Sequence, residues 1–314
     1  SRSADVFPAA ALHATARPLT EARMRRSVDD HQLELFRARP GDMPPRDAQD
    51  LMSWPFFSLA KTPRVRPIDF QLGDVTIVVE ATHEHGMATI WDADVLIWAA
   101  SQIVDARDRG LRTSRLMAAT PYEILSFIGR GDSAQNYERL KAGLDRLQST
   151  TVATSIRQPT ERRRHRFSWI NEWKERADSA GRPRGIELIL PDWFYAGVTM
   201  DALVLTIDRE YFALTGGLER WLYRLVRKHG GRQQHGWIFD FRHLHLKSGC
   251  LSPYKRFAFE LRDIVRRQPL PGYRLACIAG AENVPCLSFQ AVAIPFPSAR
   301  RLRGPRPQHD GDKL

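Results

Sequence analysis

One helix-length pattern occurs twice in this chain. Residues 136–147 read NYERLKAGLDRL, and residues 253–264 read PYKRFAFELRDI. Offset by 117 positions, Tyr137 falls on Tyr254, Arg139 on Arg256, Leu140 on Phe257, Leu144 on Leu261 and Leu147 on Ile264. Apolar residues at this spacing make one buried helical stripe. The opposite face carries Gln135, Arg139 and Arg146 in the first copy, and Lys255, Arg262 and Arg266 in the second. Each copy runs into a strand-like segment, TTVATSI or YRLACIA. A basic helix feeding a hairpin, present twice, predicts an α+β chain of tandem winged-helix (winged helix-turn-helix) domains.

Local signals extend each copy in the same order. Asp92 or Asp94 can cap a helix that ends at Gly110, with Val95, Trp98, Ala99, Ile103 and Val104 on its inner side. A strand SRLMA follows, Thr120-Pro121 opens a short helix, and Ser133 caps the first repeated helix. In the second half WIFDF reads as a strand and FRHLHLKSG as a helix ended by Gly249. Ser252 is the expected cap of the next helix, and VPCLSFQAVAI closes a hairpin with YRLACIA. Between the halves, TGGLERWLYRLVRKHGG is amphipathic, with Leu218, Leu222 and Leu225 alternating with Arg220, Arg224, Arg227 and Lys228. FFSLAKT and VTIVVEAT are expected strands, 175–185 a polar loop, and GIELILPDWFY a strand entering a helix. The resulting organisation is a largely disordered segment at 1–50, winged-helix domains at 51–205 and 206–294, and a flexible basic tail at 295–314. The first segment holds a short helical or docking patch, HQLELF, at 31–36.

Lys and Arg total 47 against 36 Asp and Glu, a formal charge of +11. Such a chain favours polyanionic partners through phosphate neutralisation and counterion release. No stretch approaches the ~20 apolar residues of a membrane span, and the weakly apolar Phe7–Leu12 lacks the basic leader of a signal peptide. Cys250, Cys277 and Cys286 form no CxxC pair and read as thiols in a reducing cytoplasm. The expected partner is double-stranded DNA. Ser133 sets the start of the first helix, where Gln135 and Asn136 can pair with adenine edges. Arg139 and Arg146 can take guanine or phosphate. Lys255, Arg256, Arg262 and Arg266 supply the second surface. The turn PTERRRHR places Arg162, Arg163, Arg164 and Arg166 beside His165 at a hairpin tip, read as a wing over phosphates or in a minor groove.

Binding of this kind asks for no covalent catalysis, and no enzyme, cofactor or metal site is expected. Neither GxxxxGK[ST] nor GxGxxG occurs. His243-Leu244-His245 with Tyr254 has the spelling of a metal-dependent rolling-circle nickase. On a helix, however, residues two apart diverge. His83, Glu84, His85, Asp92 and Asp94 do not match HExxH, and the two aspartates suit helix caps.

Four ordered segments carry a resemblance: QLELFRARPGDMPPRDAQDLMSWPFFSLAKTPRVRPIDF, GMATIWDADVLIWAASQI, LDRLQSTTVATSIR and GGLERWLYRLVRKHG. They resemble the replication initiator protein A family of plasmids from alpha- and related proteobacteria, from about Gln32 to about Ile294. LPDWFY, LTIDREYFALTGGLERWLYRLVRKHG and SPYKRFAFELRDIV together resemble the wider group of iteron-binding initiators with two winged-helix domains. The resemblance implies a bacterial cytoplasmic protein that binds repeats at a plasmid origin and helps open the duplex. It also implies recruitment of the host replication initiator and replicative helicase, a monomer that initiates and a dimer that represses. A dimeric winged-helix transcription repressor would share the fold and the basic helices.

Overall fold

Residues 33–158, 165–230 and 236–292 are described by the computed structural model. Two short strands come first, β1 (Leu35–Arg37) and β2 (Arg46–Ala48), then α1 (Gln49–Met52). Residues 35–50 therefore already carry strands and the start of a helix, and part of the expected helical patch HQLELF is strand. A hairpin follows, β3 (Ile68–Leu72) and β4 (Val75–Glu80). FFSLAKT forms no strand beyond one bridge, Ser58 to Thr89. Phe56 and Phe57 are instead core residues packed on Trp169.

The first winged helix is built on α2 (Ala93–Asp108), which is buried almost all round from Ala93 to Val104. A helix apolar on every side belongs at the centre of a domain. Next come β5 (Leu116–Ala119), α3 (Pro121–Phe127) and α4 (Ala134–Ser149). A capping box opens α3: the Thr120 hydroxyl accepts from the Glu123 N–H, and the Glu123 carboxylate accepts from the Thr120 N–H. Ser133 caps α4 as expected, accepting from the Asn136 N–H at 3.2 Å. The chain continues through β6 (Thr151–Thr154), β7 (Arg166–Ser168), β8 (Glu172–Ala177), β9 (Pro183–Ile189), α5 (Asp192–Thr199) and β10 (Val204–Thr206).

The second winged helix comprises α6 (Gly217–Gly230), β11 (Trp237–Asp240), α7 (Phe241–Ser248), α8 (Tyr254–Arg267), β12 (Tyr273–Ala279) and β13 (Pro285–Ala291). Gly249, at φ 61°, ends α7 in the left-handed conformation. Asp240 caps that helix by accepting from the Arg242 N–H. Ser252 does not cap α8; Pro253 occupies the cap without a side-chain bond, its fixed φ suiting a helix entry.

Sheet order corrects the expected wing. The second domain has the order β11-β13-β12, so its last two strands form the wing. The same order recurs in the first domain as β5-β9-β8, with β1 added parallel to β5. Its wing is therefore the β8–β9 hairpin, which turns at 178–182, inside the stretch read as a polar loop. The hairpin that directly follows α4 is an insertion. It extends the β3–β4 hairpin into the sheet β3-β4-β6-β7.

The two domains share one hydrophobic core, and α6 is its seam. Arg220 and Arg224, the arginines that alternate with the leucines of this amphipathic helix, are buried at 2% and 1% exposure. Arg220 Nη1 donates to both oxygens of Asp94 at 2.7 and 2.9 Å, and its other nitrogens donate to the Leu214 and Phe212 carbonyls. Burial, opposed by Arg220 and Arg130, pushes the Asp94 carboxyl up to about 6. Arg224 makes a two-point pair with Asp47 of β2, at 2.7 and 2.9 Å. Burial works against its charge, but Asp47, Tyr211 and Asp94 together hold its pKa above the usual value. Lys247 of α7 adds a third tie, its ammonium 4.2 Å from the Trp54 ring.

Gly217 permits the closest approach across this seam. A Cβ there would sit 1.9 Å from the Leu59 carbonyl oxygen. Gly217→Ala is expected to cost about 1–3 kcal/mol through forced backbone movement, despite the usual helical gain from alanine. A lowered urea midpoint at an unchanged slope would register it; an unchanged midpoint would show that the seam yields freely.

Candidate nucleic-acid interface

The helix α8 is amphipathic because Phe257, Ala258, Leu261 and Ile264 turn inward against the sheet and α7. Its outer side carries Lys255, Arg256, Phe259, Arg262 and Arg266, all exposed. Arg262 lies 5.4 Å from the Phe241 ring, and Arg242 of α7 lies 4.4 Å from the Tyr254 ring. Arg266 pairs with Asp263 at 2.5 Å. Arg267 bridges Asp263 and the buried Glu219 of α6, which fastens the end of α8 to the seam. The wing turn of this domain, Gly280–Val284, contains no cation. The wing turn therefore adds no positive charge to that of the helix.

The first domain divides its residues differently. On α4, Gln135 and Arg139 are exposed. Asn136 is half-buried, and its Nδ2 donates to the Gly131 carbonyl at 2.9 Å, closing the turn before the helix. Arg146 is not a free reader. Its Nε and Nη2 donate to the two Asp92 oxygens at 2.7 and 2.8 Å, while Asp92 Oδ2 also accepts from the Thr89 N–H. The hydrogen bond to Asp92 holds the Arg146 pKa above its usual value, against partial burial. Gly143 makes room for this pair, since a Cβ would lie 2.8 Å from Asp92 Oδ1. On its other flank α4 is clamped to the wing: Tyr137 hydrogen-bonds Glu175, and the Trp173 indole donates to Asp145 at 3.0 Å.

The β8–β9 wing carries Lys174, Arg176, Arg182 and Arg184, which were not singled out from sequence. Arg182 and Arg184 pair with Asp178, while Lys174 and Arg176 pair with Glu187. In the inserted hairpin Arg166 pairs with Glu80 of β4. Arg162, Arg163 and Arg164 lie outside the described residues. The base of that hairpin is held by Arg157, which pairs with Asp50 and donates to the Trp193 carbonyl. An open cleft of about 620 Å³ runs along α4 to the seam, lined by Lys61, Trp91, Arg130, Arg139 and Phe212 among others.

Residues 46–275 match the family described as replication initiator protein A. The chain belongs to that family. It is a replication initiator of two winged-helix domains. A candidate replication protein of Wigglesworthia glossinidia brevipalpis is 31% identical over 228 residues, covering 71% of this chain and 82% of that protein. Among solved structures, a selenomethionine derivative of domains 2 and 3 of RctB aligns with a TM-score of 0.54 at 17% identity. It covers 74% of this chain and 94% of that one. A second structure of RctB domains 2–3 aligns at 0.50, also at 17% identity, covering 78% and 96%. At that identity the shared feature is the tandem fold.

Among the described residues neither metal-site alternative has its named side chains gathered as ligands. His243 stacks on Phe239, whereas the His245 ring meets the Ser252 carbonyl at 2.8 Å and packs on Tyr254. The two imidazoles thus diverge, as residues two apart on a helix must. Asp92 and Asp94 are engaged by Arg146 and Arg220. Among the described residues no group of three or more His, Cys, Asp or Glu could hold a metal ion. None of the helices described is long and apolar enough to cross a membrane.

Proposed function

We propose that this initiator binds repeated duplex DNA at a plasmid origin through both winged-helix domains. It helps open the duplex there and brings in the host replication initiator and replicative helicase. Its work is binding and duplex strain rather than covalent catalysis, and its dimer serves repression. The observation that carries this reading is the outer side of α8, where Lys255, Arg256, Arg262 and Arg266 project from one helix of major-groove width. In the first domain Gln135 and Arg139 are the base-reading candidates, and Ser133, Asn136 and Arg146 position them. Two modules joined in one body also gain from effective concentration once the first is seated.

Footprinting of the purified chain on the DNA flanking its own gene tests the reading. Protection of two adjacent segments per repeat is expected. A plasmid carrying only this gene and those repeats should replicate; protected repeats on a plasmid that fails to replicate would mark a repressor instead. Arg139→Ala is expected to weaken repeat binding by roughly 5–150-fold, the worth of about 1–3 kcal/mol for one good base contact. Its effect on random duplex should be much smaller. Equal losses on both in a gel-shift titration would remove Arg139 from base reading.

A further inference from the structure

Among the described residues Phe259 is the most exposed large apolar side chain, at 74%. It occupies the crest of α8, opposite the buried stripe of Phe257, Leu261 and Ile264. Lys255 and Arg256 precede it by four and three positions, and Arg262 and Arg266 follow by three and seven. On a helix, residues three and four away neighbour one side chain, so Lys255, Arg256 and Arg262 flank the ring, with Asp263 on the same side holding Arg266 in an ion pair. Among the described residues its ring has no aromatic or cationic partner. Shifted by 117 positions, Phe259 falls on Ala142, which is also exposed on α4. The two repeated helices therefore differ at their crests, one flat and one bearing a ring.

Cations on both sides give this apolar group a polyanion as its occupant. A duplex presents one apolar group in its major groove, the thymine C5-methyl. We propose that Phe259 is a specificity-determining residue that packs on a thymine methyl while its flanking cations hold phosphates or guanine edges. This rests on the duplex-binding reading above. A lone ring among three long cations does not suit a protein partner, which would need an apolar patch continuing beyond it.

The test uses the full chain and a footprinted repeat in which thymines are replaced singly by deoxyuridine, which lacks only the methyl. For the wild-type chain, one or two positions in the segment covered by the second domain should weaken binding by about fourfold each, the worth of one buried methyl. Phe259→Ala should bind the unmodified repeat more weakly and show no penalty at those same positions. Phe259→Leu should retain part of the penalty. Because the side chain is exposed, unaltered urea midpoints are expected for both variants. Identical penalty profiles for wild type and Phe259→Ala, or a flat wild-type profile on a repeat that is still footprinted, would overturn the Phe259 proposal and leave duplex binding standing. Absence of any footprint would overturn both.

Discussion

Arg224→Ala is expected to lower the free energy of unfolding by about 3–5 kcal/mol. The substitution removes both donors to Asp47, which is only 2% exposed and would be left as an uncompensated charge. Total stability is typically ~5–15 kcal/mol, so the loss is a large share of it. The eight tryptophans of the chain supply the fluorescence signal for urea titration. Removing the pair as a unit, Asp47→Asn with Arg224→Met, is expected to recover much of the loss, because no charge is then stranded. A single variant within about 1 kcal/mol of wild type would show that water reaches this pair.

Lys255→Ala, Arg262→Ala and Arg266→Ala together are expected to produce the largest loss of DNA binding. Each phosphate contact contributes about 0.9 to the slope of log affinity against log salt, so the slope should shrink by about 2–3. The Arg266–Asp263 pair does not protect that residue from recruitment, since exposed pairs are worth ~0–1 kcal/mol. Fluorescence anisotropy with origin and random duplexes at several salt concentrations measures both quantities. An unchanged slope would exclude α8 as the phosphate-binding helix.

The parts of the fold legible from sequence were those written in local patterns. Helix starts at Thr120 and Ser133, the stop at Gly249 and the duplicated α4 and α8 all rest on contacts within a few residues. What escaped depends on distant pairing. Whether β6–β7 or β8–β9 is the wing is decided by which of them meets β5, and β9 does so from 73 positions away, as in the pairing of Leu116 with Ile189. The arginines of α6 follow the same logic. Their i, i+4 spacing resembles a solvated face, and only the aspartates at 47 and 94 turn them inward. The Arg146–Asp92 pair escaped for the same reason, its partner lying 54 positions upstream. Phe259 was not singled out from the repeat, because aligning it with Ala142 does not by itself say which of the two side chains stands out from its helix.

The seam around α6 has a consequence for the proposed binding of both domains to one duplex. Parting either buried ion pair costs a few kcal/mol, whereas smoothly bending 20–30 base pairs by 40–90° costs about 1–6 kcal/mol. With Gly217 pressed against Leu59 and Arg267 fastening α8 to Glu219, the protein has little slack to give. On the proposed reading, in which both helices engage one duplex, a misfit between the pitch of that duplex and the separation of the helices would be transferred to the nucleic acid as curvature or unwinding, so that rigidity in the polypeptide becomes torque on the double helix.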